Sequence, residues 1–133
     1  MQLYRTMKKI ESDEDYKALN ALPQAILFVD ALWSGVARRS RNVVENWQAT
    51  ESLNSGFSVY VADCDAEAHQ KWVNALRPLP DAALRRKLTI GGYGMLTWLQ
   101  YGSIISATTG NVHPAMVPEI SRRTRELFGL NKN

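Results

Sequence analysis

The segment Trp33-Ser34-Gly35 carries the polar groups best placed for chemistry, because it joins a strand pattern to a helix pattern. An unbroken apolar run covers residues 25–29 and ends at Asp30, which is typical of a buried strand. Beyond Gly35 a basic pattern with helical spacing begins. The Ser34 hydroxyl and the nearby Arg38 and Arg39 therefore adjoin a predicted helix N-terminus, whose N–H groups favour a carboxylate or phosphate.

Nucleophilic catalysis by Ser34 requires a base within hydrogen-bond reach, because an unassisted hydroxyl is a poor nucleophile at neutral pH. The two histidines, His69 and His113, fall in predicted helices far along the chain and are not expected beside Ser34. Cys64 is the single cysteine, which excludes a CxxC pair and a cysteine-based structural zinc site. The sequence thus predicts no catalytic residue, no metal site and no cofactor, and a buried structural role for Cys64.

Length and composition indicate one ordinary globular domain. The chain has 133 residues, of which 45% are hydrophobic and 22% charged, and we assign residues 1–133 to a single domain. No segment approaches the roughly 20 apolar residues that a membrane span needs. The first residues also lack the apolar centre of a signal peptide. We therefore expect a cytoplasmic protein without membrane contact.

The net charge of +3 is modest, although the basic residues are grouped. The groups are Arg38-Arg39-Arg41, Arg85-Arg86-Lys87 and Arg122-Arg123-Arg125. A charge of this size is typical of a solvated surface, so nucleic acid is not the expected partner. In the helix after Gly35, Arg41 and Glu45 stand four residues apart on the predicted polar face, where they can pair in solvent.

The remaining pattern alternates strands and helices. Predicted elements are a strand in residues 3–10, a helix capped by Ser12 and ended by Pro23, a strand from Phe57, a helix capped by Asp65, a short helix capped by Asp81, strands over residues 95–100 and 104–109, and a last helix starting near Pro118. The glycine-rich run 91–94 precedes a strand, whereas phosphate loops follow one, so it predicts a turn.

This order resembles the thioredoxin family, in which the central strand ends V-D-F and the next helix opens W-C-G-P-C. Here the same frame has W-S-G-V-A, so Ser34 and Ala37 occupy the positions of both family cysteines. The resemblance extends from Tyr4 to about Phe128 through the later segments A-D-C-D, M-L-T-W and Y-G-S. It implies a three-layer α/β/α sandwich with a central mixed sheet of four to five strands.

The chain departs from the family at two places. The resemblance implies that residues 77–90 are an insertion, a helical segment before the fourth strand that is a candidate specificity element or lid. Leu96 stands where thioredoxins have a cis-proline that helps to dock substrate. Because a cis bond before a non-proline residue costs about 3 kcal/mol, we expect the Met95–Leu96 bond to be trans.

Disulfide exchange needs an attacking and a resolving thiol, and neither is present at positions 34 and 37. The resemblance then implies a non-catalytic protein, monomeric or homodimeric, that binds a protein partner or a small anionic ligand at the former active-site face. The expected binding residues are Trp33, Ser34, Gly35, Arg38, Arg39, Met95, Leu96 and Thr97. Two alternatives stay open, a glutathione-transferase-like or other thiol-binding enzyme that uses Ser34, and nucleic-acid binding through the arginine clusters.

Overall fold

The computed structural model describes Tyr4 and residues 6–55, 58–108 and 110–129. Its elements in chain order are β1 (Lys8–Lys9), α1 (Asp13–Asn20), β2 (Ala25–Asp30), α2 (Gly35–Ser55), β3 (Val59–Asp63), α3 (Glu67–Ala75), α4 (Ala82–Thr89), β4 (Met95–Gln100), β5 (Ser103–Ala107), a 3₁₀ turn (Pro114–Met116) and α5 (Val117–Phe128). Within these ranges no helix is both long and apolar enough to cross a membrane.

The five strands form one mixed sheet in the order β1-β3-β2-β4-β5. β3 runs parallel to β1 and to β2, whereas β4 is antiparallel to both β2 and β5. All six residues of β2 are buried, which explains its unbroken apolar pattern. β2 is therefore the central strand, and the segment that follows it leaves the middle of the sheet.

Helices cover both faces of the sheet, which gives the predicted three layers. On one face Leu27 of β2 packs in a cluster with residues of α1, α3 and α4, including Leu19, Trp72 and Leu88. On the other face Phe28 packs with residues of α2 and α5, including Val44, Trp47 and Ile120. Successive β2 side chains thus enter opposite cores, as the two-residue period of a strand requires.

Several predicted element boundaries are confirmed, whereas the strand predicted over residues 3–10 is limited to Lys8–Lys9 among the described residues. Ser12 caps α1 through a bond from the Asp15 N–H, Asp81 caps α4, and α5 carries Pro118 in its first turn. The prediction for α3 is wrong, because its N-cap is Ala66 and not Asp65. Leu3 and Phe57, predicted to belong to strands, lie outside the described residues, as does Thr109.

The predicted insertion forms a helix, α4, that is attached to the core through His69. The Tyr16 hydroxyl lies 2.7 Å from His69 Nδ1, and Nε2 lies 2.8 Å from the Leu88 carbonyl oxygen. Because a carbonyl only accepts, Nε2 carries the proton and Nδ1 accepts from Tyr16. The fully buried His69 thereby links α1, α3 and α4. Burial lowers the pKa of His69, so the imidazole is neutral.

Candidate functional site

Ser34 caps the N-terminus of α2 and also holds a neighbouring loop. Its Oγ accepts a 3.1 Å hydrogen bond from the Ala37 N–H, as an N-cap residue does. The same hydroxyl donates a 2.7 Å hydrogen bond to the Gly92 carbonyl oxygen. The chain reaches this position through a tight turn in which the Ser34 N–H bonds the Ala31 carbonyl. Both the accepting and the donating hydrogen bond of the Ser34 hydroxyl are therefore structural.

Trp33 lies flat against the same loop. A Cβ built on Gly92 would come within 2.4 Å of Trp33 Cη2, so only glycine leaves room for the indole. Gly92 also has a φ of +69°, in the region that glycine favours. The indole Nε1–H donates a 2.9 Å hydrogen bond to the Asp65 carboxylate. The ring is thus fixed on two sides and yet remains 63% exposed.

The loop of residues 91–94 is held against α2 by a second serine. Buried Ser40 donates to the Tyr93 carbonyl at 3.0 Å and accepts from the Val112 N–H at 2.9 Å. Gly94 has a φ of +74°, and a Cβ there would lie 2.9 Å from the Ala37 Cα. The glycine run therefore forms the predicted turn, and Gly94 also permits a close approach to α2 that the sequence did not predict.

Four large apolar side chains are exposed at this end of the sheet, and we call them the Trp33 face. They are Leu32 at 51%, Trp33 at 63%, Ile90 at 62% and Tyr93 at 45% exposure. Trp33 covers Gly92, and the Tyr93 ring lies against Gly91, since a Cβ there would be 3.0 Å from Tyr93 Cδ2. Leu32 adjoins Trp33 in the chain, and Ile90 and Tyr93 flank the two glycines, so the face is built from both the β2–α2 junction and the loop before β4.

Part of the predicted binding surface lies below the Trp33 face. Met95, Leu96 and Thr97 belong to β4, where they pair with residues of β2, and all three are buried. The expectation that they are exposed is wrong, because the strand starts at Met95. The Leu96 N–H donates to Thr108 Oγ1, and its carbonyl accepts from the Thr108 N–H, so its backbone is occupied. The Met95–Leu96 bond is trans, as expected.

The remaining predicted residues stay at the surface. Gly35 begins α2, and a Cβ there would meet nothing within 4 Å. Arg38 and Arg39 are exposed on the first turns of the same helix. The structure therefore brings Trp33, Ser34, Gly35, Arg38 and Arg39 to one end of the sheet. At that surface the exposed side chains come from the loop before β4, whereas the predicted β4 residues are buried beneath it.

Solved structures with a similar fold include several thioredoxins. The chain superposes on a thioredoxin from Trypanosoma brucei brucei with a TM-score of 0.61, 13% identity and 97% of each chain covered. The oxidised thioredoxin of Plasmodium falciparum gives a TM-score of 0.59 and 15% identity, with 90% of this chain and 98% of that chain covered. The fold is thioredoxin-like.

Human ERp44 also matches, with a TM-score of 0.66 and 11% identity over 95% of this chain. The chain spans about 30% of the length of that protein. Models of known protein families give no match, and a search of curated protein sequences gives no significant one. At these identities the likeness concerns the thioredoxin-like fold alone.

Beneath the site, Asp30 forms a buried ion pair that the sequence did not predict. Arg41 Nε and Nη2 bind the two Asp30 oxygens at 2.7 and 3.1 Å, and the Tyr4 hydroxyl donates to Oδ2 at 2.9 Å. Asp30 is thus a fully buried carboxylate held by Arg41 and Tyr4. The predicted solvent pair of Arg41 with Glu45 is wrong, because both are buried and Glu45 instead accepts from Thr6.

Cys64 directly follows β3 of the thioredoxin-like fold as a buried thiol, as predicted. Burial and the neighbouring Asp65 and Asp63 charges raise its pKa to about 12. The potential ligand atoms of these three residues lie within 4.8 Å of one another. Cys64 Sγ donates a 3.8 Å hydrogen bond to Asp65 Oδ1, and Asp63 Oδ1 accepts from the Asp65 N–H, so local contacts within the turn account for this grouping.

The three arginine groups differ in how their charges are compensated. Arg122 bonds Glu119 and Glu126, Arg123 bonds Glu119, and Arg125 lies 3.6 Å from Glu51. None of the ion pairs found among the described residues involves Arg38, Arg39, Arg85 or Arg86. The arginines without a carboxylate partner therefore belong to α2 and α4, the two helices next to the Trp33 face.

Proposed function

We propose that the protein is a thioredoxin-like domain that binds a protein partner through the Trp33 face, without disulfide exchange. The observation that carries this proposal is the grouping of four exposed large apolar side chains at one end of the sheet. Single exposed apolar residues are ordinary, whereas contiguous ones favour an interaction site. Gly35, Arg38 and Arg39 border the face and are proposed as its polar rim.

Trp33 has the properties of an interface anchor. Tryptophan is enriched among the residues that dominate binding energies, and a side chain already held in place loses little entropy on binding. The hydrogen bond to Asp65 and the contact with Gly92 provide this fixation. Trp33 is therefore the residue whose removal should weaken the complex most.

The environment of Ser34 argues against the enzyme alternative. The partners of its hydroxyl among the described residues are the Gly92 carbonyl and the Ala37 N–H, and neither can take a proton. His69 is buried in its own hydrogen bonds with Tyr16 and Leu88. The bond from Ala37 also occupies one of the helix N–H groups that an anionic ligand would need, so a protein partner is the better proposal.

Nucleic-acid binding through the arginines has less support, because Arg41 is buried in an ion pair and the α5 arginines are paired with glutamates. Such binding would need several free cations that follow a phosphate backbone.

The test compares proteins captured from a lysate of the source organism by wild type, Trp33→Ala and Tyr101→Ala. Tyr101 is a matched control, since it is 65% exposed and lies in the turn at the opposite end of β4. We expect at least one protein, resistant to nuclease, to be retained by wild type and Tyr101→Ala and lost from Trp33→Ala. Equal capture by all three proteins would refute the placement of the binding face.

A further inference from the structure

Resting on the proposed function, we infer that the partner segment docked on the Trp33 face is an acidic peptide, whose carboxylates bind Arg85 and Arg86. These arginines lie on α4, the helix predicted as an insertion, and line a groove between α3 and α4. The inference thus assigns a role to α4 and names the chemistry of the partner.

The groove, which we call the α3–α4 groove, encloses about 350 Å³. Its polar lining comes from Gln70 and Asn74 on α3 and from Arg85, Arg86 and Thr89 on α4. No carboxylate is among the lining residues, so its charge is positive only. Amide and guanidinium donors together suit a carboxylate-bearing segment.

Arg85 is held in position without losing its charge. Its Nη2 donates a 3.1 Å hydrogen bond to Asn74 Oδ1, an amide oxygen that orients the guanidinium but does not neutralise it. Arg122 on α5 is different, because Glu119 and Glu126 both bind its guanidinium. An acidic ligand is therefore expected at Arg85 and Arg86 rather than at α5.

The groove continues directly into the Trp33 face. Ile90 lines the groove and, at 62% exposure, also belongs to the face. Two residues later, Gly92 supports the Trp33 ring. Asp65, in the turn between β3 and α3, accepts the hydrogen bond of the Trp33 indole and would repel a carboxylate. The apolar part of the peptide is therefore expected over Trp33. Its acidic part is expected to lie towards α4, away from Asp65.

The test is a selection of phage-displayed random 12-residue peptides on the immobilised full chain, followed by affinity measurements on the recovered peptides. We expect the peptides to combine an aromatic or aliphatic residue with two or more acidic residues. Trp33→Ala should abolish their binding. Arg85→Glu with Arg86→Glu should weaken it about tenfold or more, and rising salt should weaken the wild-type complex. Lys9→Glu with Lys17→Glu, exposed residues of β1 and α1, is the control for net charge and should leave affinity unchanged.

The outcomes separate this inference from the proposed function. Peptides that depend on Trp33 but lack acidic residues, or that bind the Arg85→Glu, Arg86→Glu variant equally well, overturn the acidic inference and leave the Trp33 face standing. Selection of no Trp33-dependent peptide overturns both. If the control variant loses as much affinity as the groove variant, the attraction is non-specific and the inference also fails.

Discussion

The Ser34 hydroxyl donates a 2.7 Å hydrogen bond to the Gly92 carbonyl oxygen and thereby joins the start of α2 to the loop before β4. By resemblance, position 34 corresponds to the first cysteine of the thioredoxin family. Here the Ser34 hydroxyl stands at that position and organises the Trp33 face. Trp33 rests on Gly92 itself. Together with the Ser40 bond to the Tyr93 carbonyl, this hydrogen bond holds the two segments that form the proposed binding surface against each other.

Replacing Ser34 by alanine should destabilise the fold and loosen the loop. Loss of the cap on α2 costs about 1 kcal/mol, and the Gly92 carbonyl loses its donor as well. We expect the urea midpoint of Ser34→Ala to fall with an unchanged m-value. Thr50→Ala is the control, because the Thr50 hydroxyl only bonds a carbonyl of its own helix at an exposed position. Equal stability of Ser34→Ala and wild type would show that the bond contributes nothing.

Gly92→Ala should displace Trp33 and weaken binding. The new Cβ would lie 2.4 Å from Trp33 Cη2, and alanine is strained at a φ of +69°. We expect a loss of about 1–2 kcal/mol in unfolding free energy and an altered fluorescence spectrum. Gly110→Ala is the matched control, since a Cβ there meets nothing within 4 Å and the residue lies outside the proposed binding surface. If Gly92→Ala binds the partner as strongly as wild type does, the position of the Trp33 ring does not determine partner binding.

The native thiol should be almost inert, whereas Ser34→Cys should react quickly. Cys64 is buried and its pKa is raised to about 12, so little thiolate forms at pH 8. A thiol at position 34 would be half-buried and would accept the Ala37 N–H at the start of α2, which stabilises a thiolate. The measurement is the rate of reaction with 5,5′-dithiobis(2-nitrobenzoic acid), with Ser34→Cys made in a Cys64→Ala background. Wild type should react only after unfolding in urea, and rapid reaction of the folded wild type would contradict the burial of Cys64.

The strands and helices could be predicted because local residue patterns specify them. The apolar run of β2, the caps Ser12 and Asp81, and the prolines after α3 each act within a few residues. The burial of Arg41 could not be predicted in this way, since it depends on Asp30 and Tyr4 from other segments. Helix periodicity alone placed Arg41 in solvent.

The candidate site was only half predictable. Trp33 and Ser34 follow from the junction of β2 with α2, whereas Ile90 and Tyr93 become surface neighbours of Trp33 only through the path of the loop. The glycine run was the available signal, because consecutive glycines indicate a close approach by another group. Met95 was wrongly predicted to lie at the surface, because alignment with the thioredoxin family does not reveal where β4 begins.

His69 should make stability depend on pH below about 6.5. Burial lowers the pKa of the folded imidazole, whereas the unfolded chain keeps the ordinary value near 6.5. As the pH falls below about 6.5, the His69 imidazole binds a proton in the unfolded state but not in the folded state. The unfolding free energy then decreases by up to about 1.4 kcal/mol per pH unit until the folded pKa is reached, and above pH 6.5 the contribution is fully present. Urea titrations between pH 7.5 and 5 measure this slope. His69→Gln, which does not titrate and can still bond Tyr16 and Leu88, should show a smaller slope over the same range. If the two slopes are equal, the imidazole is not the group that loses stability in acid, and α4 is held by other contacts.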